Sequence, residues 1–175
     1  MFKKIRIREN KKPNNPRPIL LWKTSLTMVR KIKKNMEELA HFIAAQQASY
    51  QTALAQVRSG RKQSHWMWYI FPQLNGLGHS GMAKKYAIQG MDHAQAYLSH
   101  PVLGKRLVEI SRAALASHAA SALALMGSPD DLKLRSCMTL FAQLPGADPV
   151  FSKVLERYFD AIPDPRTLQL LGQKG

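Results

Sequence analysis

Three times in its C-terminal half, this chain sets a capping side chain directly before a proline: Ser128-Pro129, Asp148-Pro149 and Asp164-Pro165. Each pair is a start signal for a helix. The side-chain oxygen can accept from an unpaired N–H of the first turn, and proline at the first helical position gives up a donor that has no partner there anyway. His100-Pro101 is a weaker version of the same signal. Apolar residues then recur at helical spacing: Leu103, Leu107, Ile110 and Ala114; Leu134, Cys137, Met138 and Phe141; Phe151, Val154, Leu155, Tyr158 and Phe159. Gly127, Pro145-Gly146 and Gly172 stand where these helices should stop.

Upstream, Asn35 is a good N-cap, with Glu38 placed as in a capping box. Leu39, Phe42, Ile43, Gln46, Tyr50, Leu54 and Val57 then fall near one face, which predicts a helix over 36–59, stopped by Gly60. Shorter helices are expected from Ser80 to Gln89, from Asp92 to Ser99 and near 119–126. The run from His65 to Phe71 is ambiguous, because its β-propensity suits a strand. A lone strand would leave its backbone groups unpaired. Ser64 can cap a short helix and Pro72 can end one, so a helix is preferred. The expected architecture is all-α, one compact domain of about six to eight helices over residues 36–175.

Charge separates this domain from what precedes it. Of a formal +15, residues 1–35 carry 12 Lys+Arg against the single acid Glu9, leaving 14 basic and 10 acidic residues for 36–175. Pro13, Pro16 and Pro18 bar a helix through the arm's middle, and its apolar residues keep no period, so 1–35 is expected to be a basic, disordered arm. Three readings of it compete, of which an organelle-targeting segment is a weak match because the arm is Lys-rich and Ser-poor. It can hold nucleic acid or an anionic membrane through phosphate contacts, or it is an over-extended gene start, with translation beginning at Met28 or Met36. One cysteine, Cys137, allows no internal disulfide and no cysteine-based zinc site. No apolar run is long enough for a membrane span or a signal-peptide core, and a cytoplasmic location is expected.

Several separated blocks resemble domain-of-unknown-function family 1810. They are His65 through Gln73 followed by Gly76-Leu77-Gly78-His79-Ser80, then Tyr86-Ala87-Ile88, Ala96 through Gly104, Asp130 through Phe141 and Phe151 through Leu171. The resemblance spans roughly residues 38–172 and omits the arm. It implies a mainly helical fold and no known activity. Some members carry the label calpastatin. Calpastatins are long, disordered inhibitors, whereas this sequence reads as a compact domain, so protease inhibition is not inferred.

The segment from His65 to Gln73 is where chemistry is sought. It holds Trp66, Trp68, Tyr69 and Phe71, and a glycine-punctuated loop from Asn75 to Gly81 follows it. His65, beside two tryptophans, is expected to be partly desolvated and responsive near neutral pH. Gln73, behind Pro72, is an amide that can read a ligand. The helix start at Ser128 adds Asp131, Lys133 and Ser136, and Ser80 opens a second helix whose free N–H groups would suit an anion. The expectation is a small-molecule or anionic-ligand pocket lined by His65, Trp66, Trp68, Gln73, Ser80, Asp131, Lys133 and Ser136. The alternative is a non-catalytic protein- or nucleic-acid-interaction module, with Trp66, Trp68 and Tyr69 as exposed anchors and a rim including Lys62 and Arg106. No metal site or cofactor is predicted: the histidines lack helical pairing, and no phosphate-loop or dinucleotide fingerprint occurs. Whether the chain is an enzyme, and of what reaction class, is not set by these residues.

Overall fold

A computed structural model describes residues 19–172 and, before Glu37, only the side chains of Val29, Arg30 and Lys34. Nine helices form among the described residues: α1 (Ile19–Arg58), α2 (Met67–Ile70), α3 (Gly81–Lys85), α4 (Met91–Ser99), α5 (Leu103–Ala116), α6 (Ala122–Met126), α7 (Asp130–Ala142), α8 (Val150–Phe159) and α9 (Pro165–Leu170). The chain divides into two units, Met1–Lys34 and Asn35–Gly175. Of the first, the described part is the helical backbone from Ile19. Residues 1–18, where most of the expected disordered arm falls, lie outside the described residues. Asn35 does not start a helix, because α1 runs through it. None of the described helices is long and apolar enough to cross a membrane.

Within Asn35–Gly175 the core is organised around α7. Leu134, Cys137, Met138, Leu140 and Phe141 are all buried on it, together with Ser136 and Thr139. So many buried positions cannot share one face, and α7 indeed packs against α4, α6, α8 and α9. The apolar face expected for the first helix is also buried, at Leu39, Phe42, Gln46, Tyr50, Leu54 and Val57. Aromatic rings then run through the centre. Phe42 meets Tyr97 edge-on at 5.1 Å, Tyr97 lies 5.6 Å from Phe141, and Phe141 lies 5.8 Å from Phe151. Gln46, 1% exposed, makes polar bonds within this core. Its amide donates to Tyr69 O at 2.7 Å and to the Tyr97 hydroxyl at 2.9 Å. Where α4 turns into α5, a Cβ on Gly104 would stand 1.8 Å from Leu98 O, so only glycine permits this approach.

The start signals work in different ways. Asp164 caps α9 as expected, accepting from Thr167 N at 2.8 Å. Asp148 accepts from Val150 N at 3.0 Å at the start of α8. His100 caps α5 with a ring nitrogen: Nδ1 accepts from Val102 N at 3.1 Å and Leu103 N at 3.3 Å. That role needs the neutral ring, and burial lowers the His100 pKa accordingly. Ser128 does not cap. Pro129 occupies the N-cap position of α7 with no side-chain bond, and the carboxylates of Asp130 and Asp131 face the positive end of the helix dipole instead. Ser121, which the sequence did not single out, caps α6 through Ala124 N at 3.1 Å.

The ambiguous aromatic run forms the one-turn helix α2. Pairing of the β type comes just after it, as a single parallel bridge between Leu74 and Ile88. Ile88 N donates to Gln73 O and Asn75 N to Ile88 O, each at 2.8 Å. This bridge ties the base of the loop 75–81, and it cuts the helix expected from Ser80 to Gln89 down to α3.

Candidate functional site

A cleft of about 490 Å³ opens between the α2 segment, the loop before α3, the first turns of α7 and the start of α9. Residues at helical spacing on α7 supply one wall. Leu132 and Ser136 are four apart, Lys133 lies beside them, and Pro129 precedes them by one turn. Trp68 and Gln73 face them, and Leu77, Gly78, His79, Ser80 and Ala83 close the loop side. Gly78 is required here, since a Cβ would meet the Ala83 Cβ at 2.5 Å. Asp164 and Arg166 complete the cleft from α9.

Polar contacts fix much of this lining. Gln73 Nε2 donates to Ser136 Oγ at 2.6 Å, and Ser136 Oγ donates to Lys133 O at 3.1 Å. The amide is thereby oriented, and no described residue engages its oxygen. Lys133 Nζ donates to Asp130 Oδ1 at 2.7 Å and sits 4.9 Å from the Trp68 ring centroid. Asp130 Oδ2 takes Lys62 Nζ at 2.7 Å, with the Lys62 side chain only 10% exposed, and Lys62 lies 5.3 Å from the Trp66 ring centroid. One carboxylate thus holds two ammonium groups, each against a tryptophan. Burial on its own would raise the Asp130 pKa, but hydrogen bonds from Lys133 and Lys62 outweigh it and hold the carboxyl below its usual value. Thr139 on α7 accepts from Asp164 N at 2.8 Å, and Arg135 donates to the carbonyls of Ile162 and Pro163. These bonds from α7 place α9, and with it Arg166.

A family model described as "Protein of unknown function (DUF1810)" matches residues 36–171. The chain belongs to the DUF1810 family. It is also similar to the crystal structure of the conserved hypothetical protein Rv1873 from Mycobacterium tuberculosis, with 43% sequence identity, a TM-score of 0.75, and coverage of 77% of this chain and 96% of that one. No curated protein matches it.

In this DUF1810 domain, five of the eight expected site residues line the cleft: Trp68, Gln73, Ser80, Lys133 and Ser136. The other three are elsewhere. His65 is exposed on the loop before α2 and does not line the cleft, so the expected desolvation is absent. Trp66 is 1% exposed, and its Nε1 donates to Gln56 Oε1 at 2.8 Å. It stands at the N-cap of α2, outside the helix that carries Trp68, and points into the core. Asp131 stands two positions from Lys133 on α7, off the face that lines the cleft, with Oδ1 buried and unpartnered. The helix starts expected to suit an anion carry groups of their own. Ser80 Oγ takes Ala83 N at 3.1 Å in the five-residue α3, and two carboxylates occupy the first turn of α7.

The residues missed are those contributed by chain folding back, above all Asp164 and Arg166. The pair Asp164-Pro165 marks a helix start, but nothing local says what that helix lies beside. No group of three or more His, Cys, Asp or Glu that could hold a metal occurs among the described residues. Cys137 is buried, and burial raises its pKa well above the usual thiol value, which disfavours a nucleophilic thiolate.

Proposed function

We propose that the cleft binds a small anionic molecule. The observation that carries this is the convergence of Lys133 from α7 and Arg166 from α9 on one concavity that also holds the half-buried Trp68 and the oriented amide of Gln73. The volume of about 490 Å³ is of the size small-molecule sites have. Apolar lining with a few placed polar groups is the composition such sites have. Arg166 is exposed and makes no hydrogen bond or ion pair with any described residue, so its charge is free to meet a ligand. The charge is carried by side chains and not by helix-end N–H groups.

The interaction-module reading has less support. Of its three aromatic anchors Trp66 is buried and Trp68 and Tyr69 are half-buried. Of its basic rim, Lys62 is held by Asp130, and Arg106 lies 4.8 Å from the Tyr50 ring centroid. A thermal-shift panel of phosphate-, sulfate- and carboxylate-bearing small molecules, each beside its neutral analogue, tests the proposal. Anionic members should raise the melting temperature of the full chain but not of the Lys133→Ala/Arg166→Ala double variant. Equal responses in both proteins, or none to any anion, would remove the ligand site.

A further inference from the structure

The charges in the cleft do not all have the same sign. Asp164 lines it beside Lys133 and Arg166, and Gln73 adds an amide oxygen that no described residue engages. A site for a bare anion gains nothing from a carboxylate among its walls, since like charge repels. Asp164 is there partly for its own helix: Oδ2 accepts from Thr167 N at 2.8 Å and from Thr167 Oγ1 at 2.6 Å. Its other oxygen is engaged by no described residue. The cleft lining therefore includes two cations, Lys133 and Arg166, and two residues with an oxygen that no described residue engages, Asp164 and Gln73. A ligand that satisfies all four carries an anionic group and also neutral O–H or N–H donors. The same lining carries apolar surface, made chiefly by Trp68, Leu77 and Leu132, on which a flat ring can pack.

Resting on the anion-binding reading above, we infer that the ligand is a ribonucleoside phosphate. Its phosphate meets Lys133 and Arg166, its ribose hydroxyls donate to the acceptors, and its base packs against Trp68. Lys133 Nζ, 4.9 Å from the Trp68 ring centroid, covers part of the indole, so the base packs on the Trp68 surface it leaves open and the ribose spans from there to the phosphate. Lys133 is not free, because Asp130 holds it at 2.7 Å. A phosphate there shares the ammonium with Asp130 and does not displace it, which an ammonium with three donors allows.

Titration calorimetry on the full chain tests this with four probes: nucleoside 5′-monophosphates, ribose 5-phosphate, inorganic phosphate and unphosphorylated nucleosides. At least one nucleotide should bind about tenfold or more tighter than ribose 5-phosphate, the scale of one base–aromatic stack. In a folded Trp68→Ala variant that gap should close while the affinity for ribose 5-phosphate stays. Asp164→Asn keeps a capping oxygen and should weaken ribose-bearing probes without weakening inorganic phosphate. Equal affinity for the nucleotides and ribose 5-phosphate would overturn the nucleotide assignment and leave the anion site standing. So would binding of carboxylates with no response to any phosphate ester. Binding of no anion of any kind would instead overturn the reading on which the inference rests.

Discussion

Trp66 and Trp68 are two residues apart and lie in different environments. Trp66 is 1% exposed, donates from Nε1 to Gln56 and packs 6.3 Å from Phe71. Trp68 is half-buried and faces the cleft with Lys133 over its ring. The same division continues through α2, where Met67 and Ile70 are buried behind and Tyr69 is half-buried. What separates the two regions is the start of α2, because Trp66 sits at its N-cap and faces the core whereas Trp68 lies inside the helix on the side of the cleft. One carboxylate, Asp130, links both sides through Lys62 and Lys133. The core side carries stability and the cleft side carries whatever the domain binds, so substitutions on the two sides should separate.

The largest effect is expected from Trp66→Ala. Emptying a buried indole site costs about 3–5 kcal/mol, a drop of about 10 °C in melting temperature at this size. Calorimetric or circular-dichroism melts check it; a loss below about 1 kcal/mol would erase the difference between the two tryptophans. Asp130→Asn comes next, at about 2 kcal/mol, between a surface pair and a fully buried one, since its side chain is 15% exposed. The pH sign follows from its lowered pKa. The stabilisation is present above the usual value of 3.8 and is lost as pH falls through the lower folded value. Urea midpoints of wild type and Asp130→Asn should therefore converge at acid pH; a gap that stays constant below that range would show that the carboxylate charge is not what stabilises.

How far the sequence reveals each side also differs. The core was legible because burial imposes a period: Phe42, Leu54, Leu107, Val154 and Phe151 could be picked out by spacing alone. Start signals were legible at Asp148 and Asp164, where a short oxygen reaches a nearby N–H, and not at Ser128, where α7 starts two residues later with acids in its first turn. Of the cleft, the local parts could be found, since Trp68, Gln73 and Ser80 lie within one stretch and Lys133 and Ser136 within one turn. His65 and Trp66 lie outside the cleft, because adjacency in sequence to Trp68 does not set adjacency in space. Arg166 was invisible because its place depends on Thr139 and Arg135 anchoring the segment before α9, contacts with no local signature.

A smaller loss is expected for Trp68→Ala. Half-burial and one cation–ring contact together are worth about 1 kcal/mol, so the melting temperature should fall by only a few degrees. Ligand-induced stabilisation of the folded variant should nevertheless be reduced. If Trp68→Ala destabilises as much as Trp66→Ala, the cleft wall is a structural part of the core and the comparison fails.

Arg166→Ala should have the smallest effect on stability and the sharpest effect on binding. The side chain is exposed, pairs with no described residue and sits inside a short helix where alanine is at least as good a helix former. Its removal should change stability by no more than about 0.5 kcal/mol. Because its charge is not spent on another group of the protein, nearly all of its effect should appear in ligand affinity, and most strongly at low salt, where an exposed charge is least screened. Thermal shifts with an anionic ligand at two ionic strengths would check this. A variant as stable as wild type but blind to the ligand would assign Arg166 to binding. A variant that loses stability with no ligand present would place Arg166 among the residues that hold α9 against α7.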